Sequence, residues 1–111
     1  MDITESKLNS ATVLALSGQL DGLTCAALEK KVDALLAGGT RKLVYDCGQL
    51  AYASSAGLRV FLSSAKKLKA AGGQAAFAAL TPSVHEVFEL SGFTGIFKVE
   101  STVDAAAAAI A

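Results

Sequence analysis

The hydrophobic positions of this chain fall into short runs that alternate between two periods. Val13-Leu14-Ala15-Leu16 lies between the turn-forming pairs Asn9-Ser10 and Ser17-Gly18. With Ile3 to Leu8 ahead of it, this predicts a β-hairpin or two neighbouring strands. Gln19-Leu20-Asp21-Gly22 then crosses into a helix. Leu28, Val32, Leu35 and Leu36 recur at i, i+4, i+7 and i+8, one face at a 3.6-residue period, with Glu29, Lys30, Lys31 and Asp33 on the wet side. Gly38-Gly39 stops that helix. Lys42 to Asp46 reads as a short buried strand, and Asp46 to Ser54 as a surface loop. A second helix starts at Ser54 or Ser55, lined inside by Leu58, Phe61, Leu62, Ala65 and Leu68, and ends at Gly72-Gly73. Ala75 to Leu80 is too short between breakers for a helix and is expected to be a strand. Thr81 as N-cap and Pro82 at the first helical position open a third helix, with Val84, Val87 and Phe88 inward and Gly92 at its end. Ile96 to Val99 is a last strand. Ser101-Thr102-Val103-Asp104 has the spacing of a capping box and opens an alanine-rich terminal helix.

The order ββαβαβαβα predicts an α/β fold, with a mixed, mostly parallel sheet of about five strands and about four helices. Helical crossovers join its parallel strands, and functional surface is expected outside the strands' carboxyl ends. At 111 residues the expectation is one domain over 1–111. A hydrophobic fraction of 52% against 18% charged excludes a disordered chain. Ten basic residues balance ten acidic ones, so the electrostatic footprint of a nucleic-acid binder is missing. No apolar run reaches the ~20 residues of a membrane span. The start Met1-Asp2, with Glu5 close behind, does not resemble a signal peptide, so no membrane insertion and a cytoplasmic location are expected.

Enzyme chemistry finds little to use. Cys25 and Cys47 stand 22 residues apart in no CxxC pair, and one histidine cannot complete a familiar zinc set. Both thiols read as small apolar fillers. Ala53-Ser54-Ser55-Ala56-Gly57 lacks the first glycine of a nucleophile elbow, and His85 is the only imidazole base and reads as solvent-facing. Asp46 as a phosphoaspartate site would need an acidic pair ending the first strand, and neither candidate strand has one. The expectation is a non-enzyme with no catalytic residue, metal or cofactor.

The informative stretch runs from Asp46 to Arg59, where adjacent serines meet a helix start. A hydroxyl there either caps the helix, worth ~1 kcal/mol, or accepts a phosphate at the positive end of the helix dipole. Gly57 in the first turn costs ~1 kcal/mol relative to Ala, so its missing side chain signals close approach by another group. Asp21 and Asp46 are either turn acids bonded to nearby backbone or part of a docking edge. Arg59 and Lys66, seven apart, share a helix face and either meet an acidic partner or remain solvated.

Ser54-Ser55-Ala56-Gly57-Leu58, preceded by Asp46 and Tyr52, resembles the signature loop of STAS domains, and more narrowly of bacterial anti-sigma factor antagonists. Ser17-Gly18-Gln19-Leu20-Asp21 is similar to that family's S/G-G-x-L-D element, and Thr81-Pro82-Ser83-Val84 to its third-helix opening. The match runs along essentially the whole chain. The family's loop usually reads Asp-Ser-Ser-Gly or Ser-Ser-Ala-Gly with the second residue phosphorylated, which implies Ser55 here and Ser54 as second choice. Ser54 stands where many members carry Asp, and Ala56 where many carry a second Ser. The resemblance implies a partner switch. The unmodified protein, expected as a monomer, binds an anti-sigma factor that is also a serine kinase; phosphorylation of Ser55 ends the complex, and a PP2C-type phosphatase resets it. The implied partner face combines Asp21 and Gly22 with Ser54, Ser55, Ala56, Gly57, Leu58 and Arg59. An alternative from the same resemblance is a stand-alone STAS adaptor of a membrane transport complex, which binds without phosphorylation.

Overall fold

The computed structural model describes residues 1–111. Its elements are β1 (Asp2–Leu8), β2 (Ala11–Leu20), α1 (Cys25–Ala37), β3 (Lys42–Ala53), α2 (Ser55–Ala70), β4 (Gln74–Ala78), α3 (Pro82–Leu90), a 3₁₀ turn at Phe93–Gly95, β5 (Lys98–Glu100) and α4 (Val103–Ala109). The five strands form one sheet in the order β1-β2-β3-β4-β5. β1 runs antiparallel to β2, and every later pair is parallel. This is the α/β order expected from the sequence.

Alternation divides the core between the two sheet faces. Leu14, Leu16, Leu43, Tyr45 and Phe77 point to one face, beneath Leu28 and Val32 of α1, Phe61 and Leu68 of α2, and Val84 and Phe88 of α3. Tyr45 and Phe77 stack with ring centroids 4.9 Å apart, and Phe61 and Phe88 meet Phe77 edge-on at 5.0 and 5.2 Å. Such geometries suit the ring quadrupole. The buried Tyr45 hydroxyl donates to Ser64 Oγ, which donates to the Phe61 carbonyl at 2.9 Å, so no polar atom is stranded. The opposite face carries Val13, Val44, Ala76 and Ala78 against Ala106, Ala107 and Ile110 of α4. Alanine facing alanine lets α4 lie close to β4, which accounts for a strand built of residues with low strand propensity.

Several boundaries differ from those expected from the sequence. β2 does not end at Ser17-Gly18: Gly18 takes φ +103° at a register shift, and pairing continues to Leu20. β3 continues seven residues past Asp46, so the expected surface loop is strand, hydrogen-bonded to β2 as far as Ala53. β4 pairs only up to Asp46↔Ala78, leaving the outer edge of that extension without a strand. The opening of α3 covers it instead. Thr81 Oγ1 donates to the Leu50 carbonyl at 2.9 Å and Ser83 Oγ to the Ala51 carbonyl at 3.0 Å. Thr81 does stand at the N-cap of α3, but its hydroxyl serves β3 rather than its own helix. At α4 the cap is Thr102, whose Oγ1 accepts from Ala105 N at 3.1 Å, and not Ser101; no reciprocal capping box forms. The last strand is shifted to Lys98–Glu100 because the chain first turns through Phe93–Gly95.

Thr81→Val keeps the shape of the side chain and removes the donor to Leu50. It should lower unfolding free energy by about 1 kcal/mol in urea titration. An unchanged midpoint would mean that the edge of β3 is held by other contacts.

Candidate functional site

Leu20, at the end of β2, organises the carboxyl edge of the sheet. Its carbonyl accepts from Ser54 N at 2.8 Å, joining the last residue before α2 to the neighbouring strand. A Cβ on Gly57 would lie 2.7 Å from Leu20 Cγ and 2.9 Å from Leu20 O. The close approach that Gly57 signals is therefore internal: the first turn of α2 rests directly on the end of β2. Gly57 and Leu58 are both buried. This corrects the expectation that they present surface to a partner, because their face of the helix is spent on the core.

The two serines are treated differently by this geometry. Ser54 is the N-cap, extended at φ −82° and ψ 174°, with its Oγ accepting from Gly57 N at 3.3 Å. Its hydroxyl is half-buried and engaged. Ser55 is the first helical residue and is exposed, and its hydroxyl has no hydrogen-bond partner in the protein. Ala56 beside it is half-buried, and Arg59, one turn on, is exposed with no carboxylate in ion-pair reach. A shallow trough of about 420 Å³ begins here between Cys25 and Glu29 of α1 and Ala56, Arg59 and Ser63 of α2.

Asp21 sits beyond Leu20 and works as a turn acid. Its Oδ1 accepts from Leu23 N at 2.9 Å and from Thr24 N at 3.2 Å. Thr24 completes the turn, accepting from Asp21 N at 3.0 Å and donating to the Gln19 carbonyl at 2.8 Å. Hydrogen bonding to the charged form, first from Leu23 N–H and then from Thr24, holds the Asp21 carboxyl below its ordinary pKa. Gly22 is exposed in this turn. Asp46 is half-buried and accepts from Gly48 N at 3.0 Å, so it stabilises the strand extension. Leu23, which no motif in the sequence marks, is 93% exposed, and Tyr52, in the stretch expected at the surface, is 49% exposed. Leu23 stands alone in a turn, where no period reveals its exposure.

Other reactive groups are occupied elsewhere. Cys47 is fully buried, and burial pushes its thiol pKa up, which keeps it protonated and unreactive. His85 Nδ1 stands 3.1 Å from Glu89 on the exposed side of α3. No helix is long and apolar enough to cross a membrane.

The STAS domain family model matches residues 3–106 of the chain that forms this edge. BtrV of Bordetella bronchiseptica, assigned as an anti-sigma factor antagonist, is 41% identical over 98% of this chain and 94% of its own length. The chain belongs to the STAS domain family. Within it, this STAS domain groups with the anti-sigma factor antagonists, which are regulators and not enzymes. An anti-sigma factor antagonist from Mycobacterium paratuberculosis has the same fold, with a TM-score of 0.88, 26% identity, and coverage of 98% of this chain and 92% of that one. The antagonist SpoIIAA in its unphosphorylated form superposes with a TM-score of 0.81 at 22% identity, over 95% of this STAS domain and 92% of that chain.

Two substitutions check the geometry. Gly57→Ala gains ~1 kcal/mol of helix propensity yet should destabilise the STAS domain by about 1–2 kcal/mol net, because backbone at Leu20 must shift. A stabilised variant would contradict the packing. The second concerns Asp21, whose folded-state pKa lies below its unfolded value of about 3.9. Its contribution to stability is complete above that value and is lost as pH falls through the lower, folded one. The stability gap between wild type and Asp21→Ala, measured by urea unfolding, should therefore be wide at pH 7 and narrow in acid. An equal gap at both would remove the carboxylate's role.

Proposed function

We propose that this STAS domain is an anti-sigma factor antagonist that works as a phosphorylation-controlled partner switch, with Ser55 as the phosphate acceptor. The reading rests on a division between two adjacent hydroxyls. Ser54 is consumed as a helix cap, while Ser55 is exposed, unpartnered and held at the first turn. The similarity to BtrV supports an anti-sigma factor as partner, and SpoIIAA, whose fold this chain shares, is known in phosphorylated and unphosphorylated forms. The partner is then a serine kinase in the cytoplasm. It transfers the γ-phosphoryl group of ATP to Ser55 Oγ, breaking the bond to the β,γ-bridging oxygen so that ADP leaves while the hydroxyl proton is given up, and a PP2C-type phosphatase returns the serine by hydrolysis to inorganic phosphate.

Elementary electrostatics favours a switch in binding over a switch in folding. The phosphate brings about −1.5 to −2 charges to a helix N-terminus, where free N–H groups and the dipole accommodate it. The domain stays folded. The partner, in contrast, meets a new dianion at an edge already carrying Asp21 and framed by the apolar Leu23 and Tyr52. Desolvating that charge in an interface costs several kcal/mol, and each 1.4 kcal/mol is tenfold in affinity. Arg59, at i+4, is the cation placed to feel the change.

Calorimetric titration of the cognate kinase checks this. Ser55→Ala should bind like wild type, and Ser55→Asp should bind at least tenfold more weakly while keeping the wild-type circular dichroism spectrum. A folded Ser55→Asp variant with unchanged affinity would contradict the switch.

A further inference from the structure

Charge is unevenly divided between the two ends of this sheet, with Arg59 the exposed cation at the Ser55 end. Asp21, Glu100 and Asp104 lie at the carboxyl ends of β2 and β5 and the start of α4. At the other end stand Lys7, Arg41, Lys42, Lys66, Lys69 and Lys98, at strand starts, the β1–β2 hairpin end and the last turns of α2. The net charge of zero therefore conceals a chain with a basic end. α2 spans the distance: Ser55 to Lys66 is about 16 Å along the helix axis at 1.5 Å per residue.

An open groove of about 460 Å³ lies at that basic end, between the second half of α2 and the start of β5. Leu62, Ala65 and Phe97, all half-buried, and Ile96, 63% exposed, form its apolar lining. Lys66, Lys69 and Lys98 stand around it, and no acidic residue lines it. None of the three lysines has a carboxylate within ion-pair distance, although Lys67 on the adjacent face of α2 is paired with Asp33 at 2.9 Å. Lys98 instead donates to the Ala109 carbonyl at 3.0 Å.

We propose that this groove is a second docking site, for a partner segment that offers one aliphatic or aromatic side chain flanked by acidic residues. Charge complementarity selects that occupant: the apolar lining takes the anchor, and the free ammonium groups of Lys66 and Lys69 take the flanking carboxylates, with Lys98 adding positive charge from its bond to the Ala109 carbonyl. The groove is open along its length, so a long acyl chain would stay largely in water, and an apolar anchor between carboxylates fits the lining better than a lipid does. The site lies at the opposite end of α2 from Ser55 and stands whether or not Ser55 is the phosphate acceptor. A partner held there would remain bound through changes at the other end.

Selection of a random heptapeptide library on the folded wild-type protein, followed by ¹⁵N–¹H titration with the enriched peptides, tests the proposal. The expected peptides carry one Leu, Ile or Phe between Asp or Glu residues and shift the amides of Leu62, Gln74 and Ile96 without moving Ser55. Their affinity should fall at least tenfold in Lys66→Glu/Lys69→Glu and in Ile96→Ser, two independent variants of surface side chains, and should be unchanged in Ser55→Asp. Enriched peptides without acidic residues, or shifts confined to the Ser55 end, would overturn it. So would shifts at the groove with sodium laurate or phosphatidylglycerol vesicles but not with the peptides.

Discussion

Between Leu20 and Gly57 there is no room for another atom. That contact brings the first turn of one helix onto the end of a neighbouring strand, and the hydrogen bond from Ser54 N to Leu20 O fixes its register. Everything at the carboxyl edge follows from it. With Gly57 pressed inward, Leu58 turns to the core, Ser54 is drawn into the cap, and the next residue, Ser55, is left facing water. The same Leu20 leads directly into the Asp21 turn, so two segments distant in sequence become one edge. A side chain at position 57 would lift the helix and loosen both.

Much of this was legible in the residues, and the exceptions have physical causes. The helices announced themselves because Leu28, Val32 and Leu35, or Leu58, Phe61 and Leu68, repeat at the helical period, and the strand order followed from their alternation with short apolar runs. The full length of β3 was hidden because its last residues satisfy their outer edge through Thr81 and Ser83, more than thirty positions away. Gly48-Gln49 looks like a strand end unless that remote cover is known. Gly18 misled in the same manner: a glycine that reads as a breaker serves as a bulge and extends β2. Gly57 signalled a close approach correctly, but only coordinates identify Leu20 as the approaching group. The helix-start position alone could not divide the roles of Ser54 and Ser55, which stand within one residue of it; the order Ser55 before Ser54 came from the family resemblance.

The domain reads as a rigid platform with chemically distinct ends. Its aromatic cluster around Phe77 and the alanine interface under α4 give the interior no slack, and the buried Tyr45 hydroxyl is tied to Ser64. A charge added at the edge therefore has little internal structure to rearrange and acts on whatever is docked there. The lysine-rich end is insulated from that event by the length of α2.

The central claim is that one hydroxyl of an adjacent pair is available for transfer, and localising the modified atom tests it most directly. After reaction with the cognate kinase and ATP, tandem mass spectrometry across the Ala53–Arg59 segment should find a single phosphoryl group, on Ser55. Phosphate on Ser54 instead would show that the cap opens, and would contradict the division of roles on which the proposed switch depends.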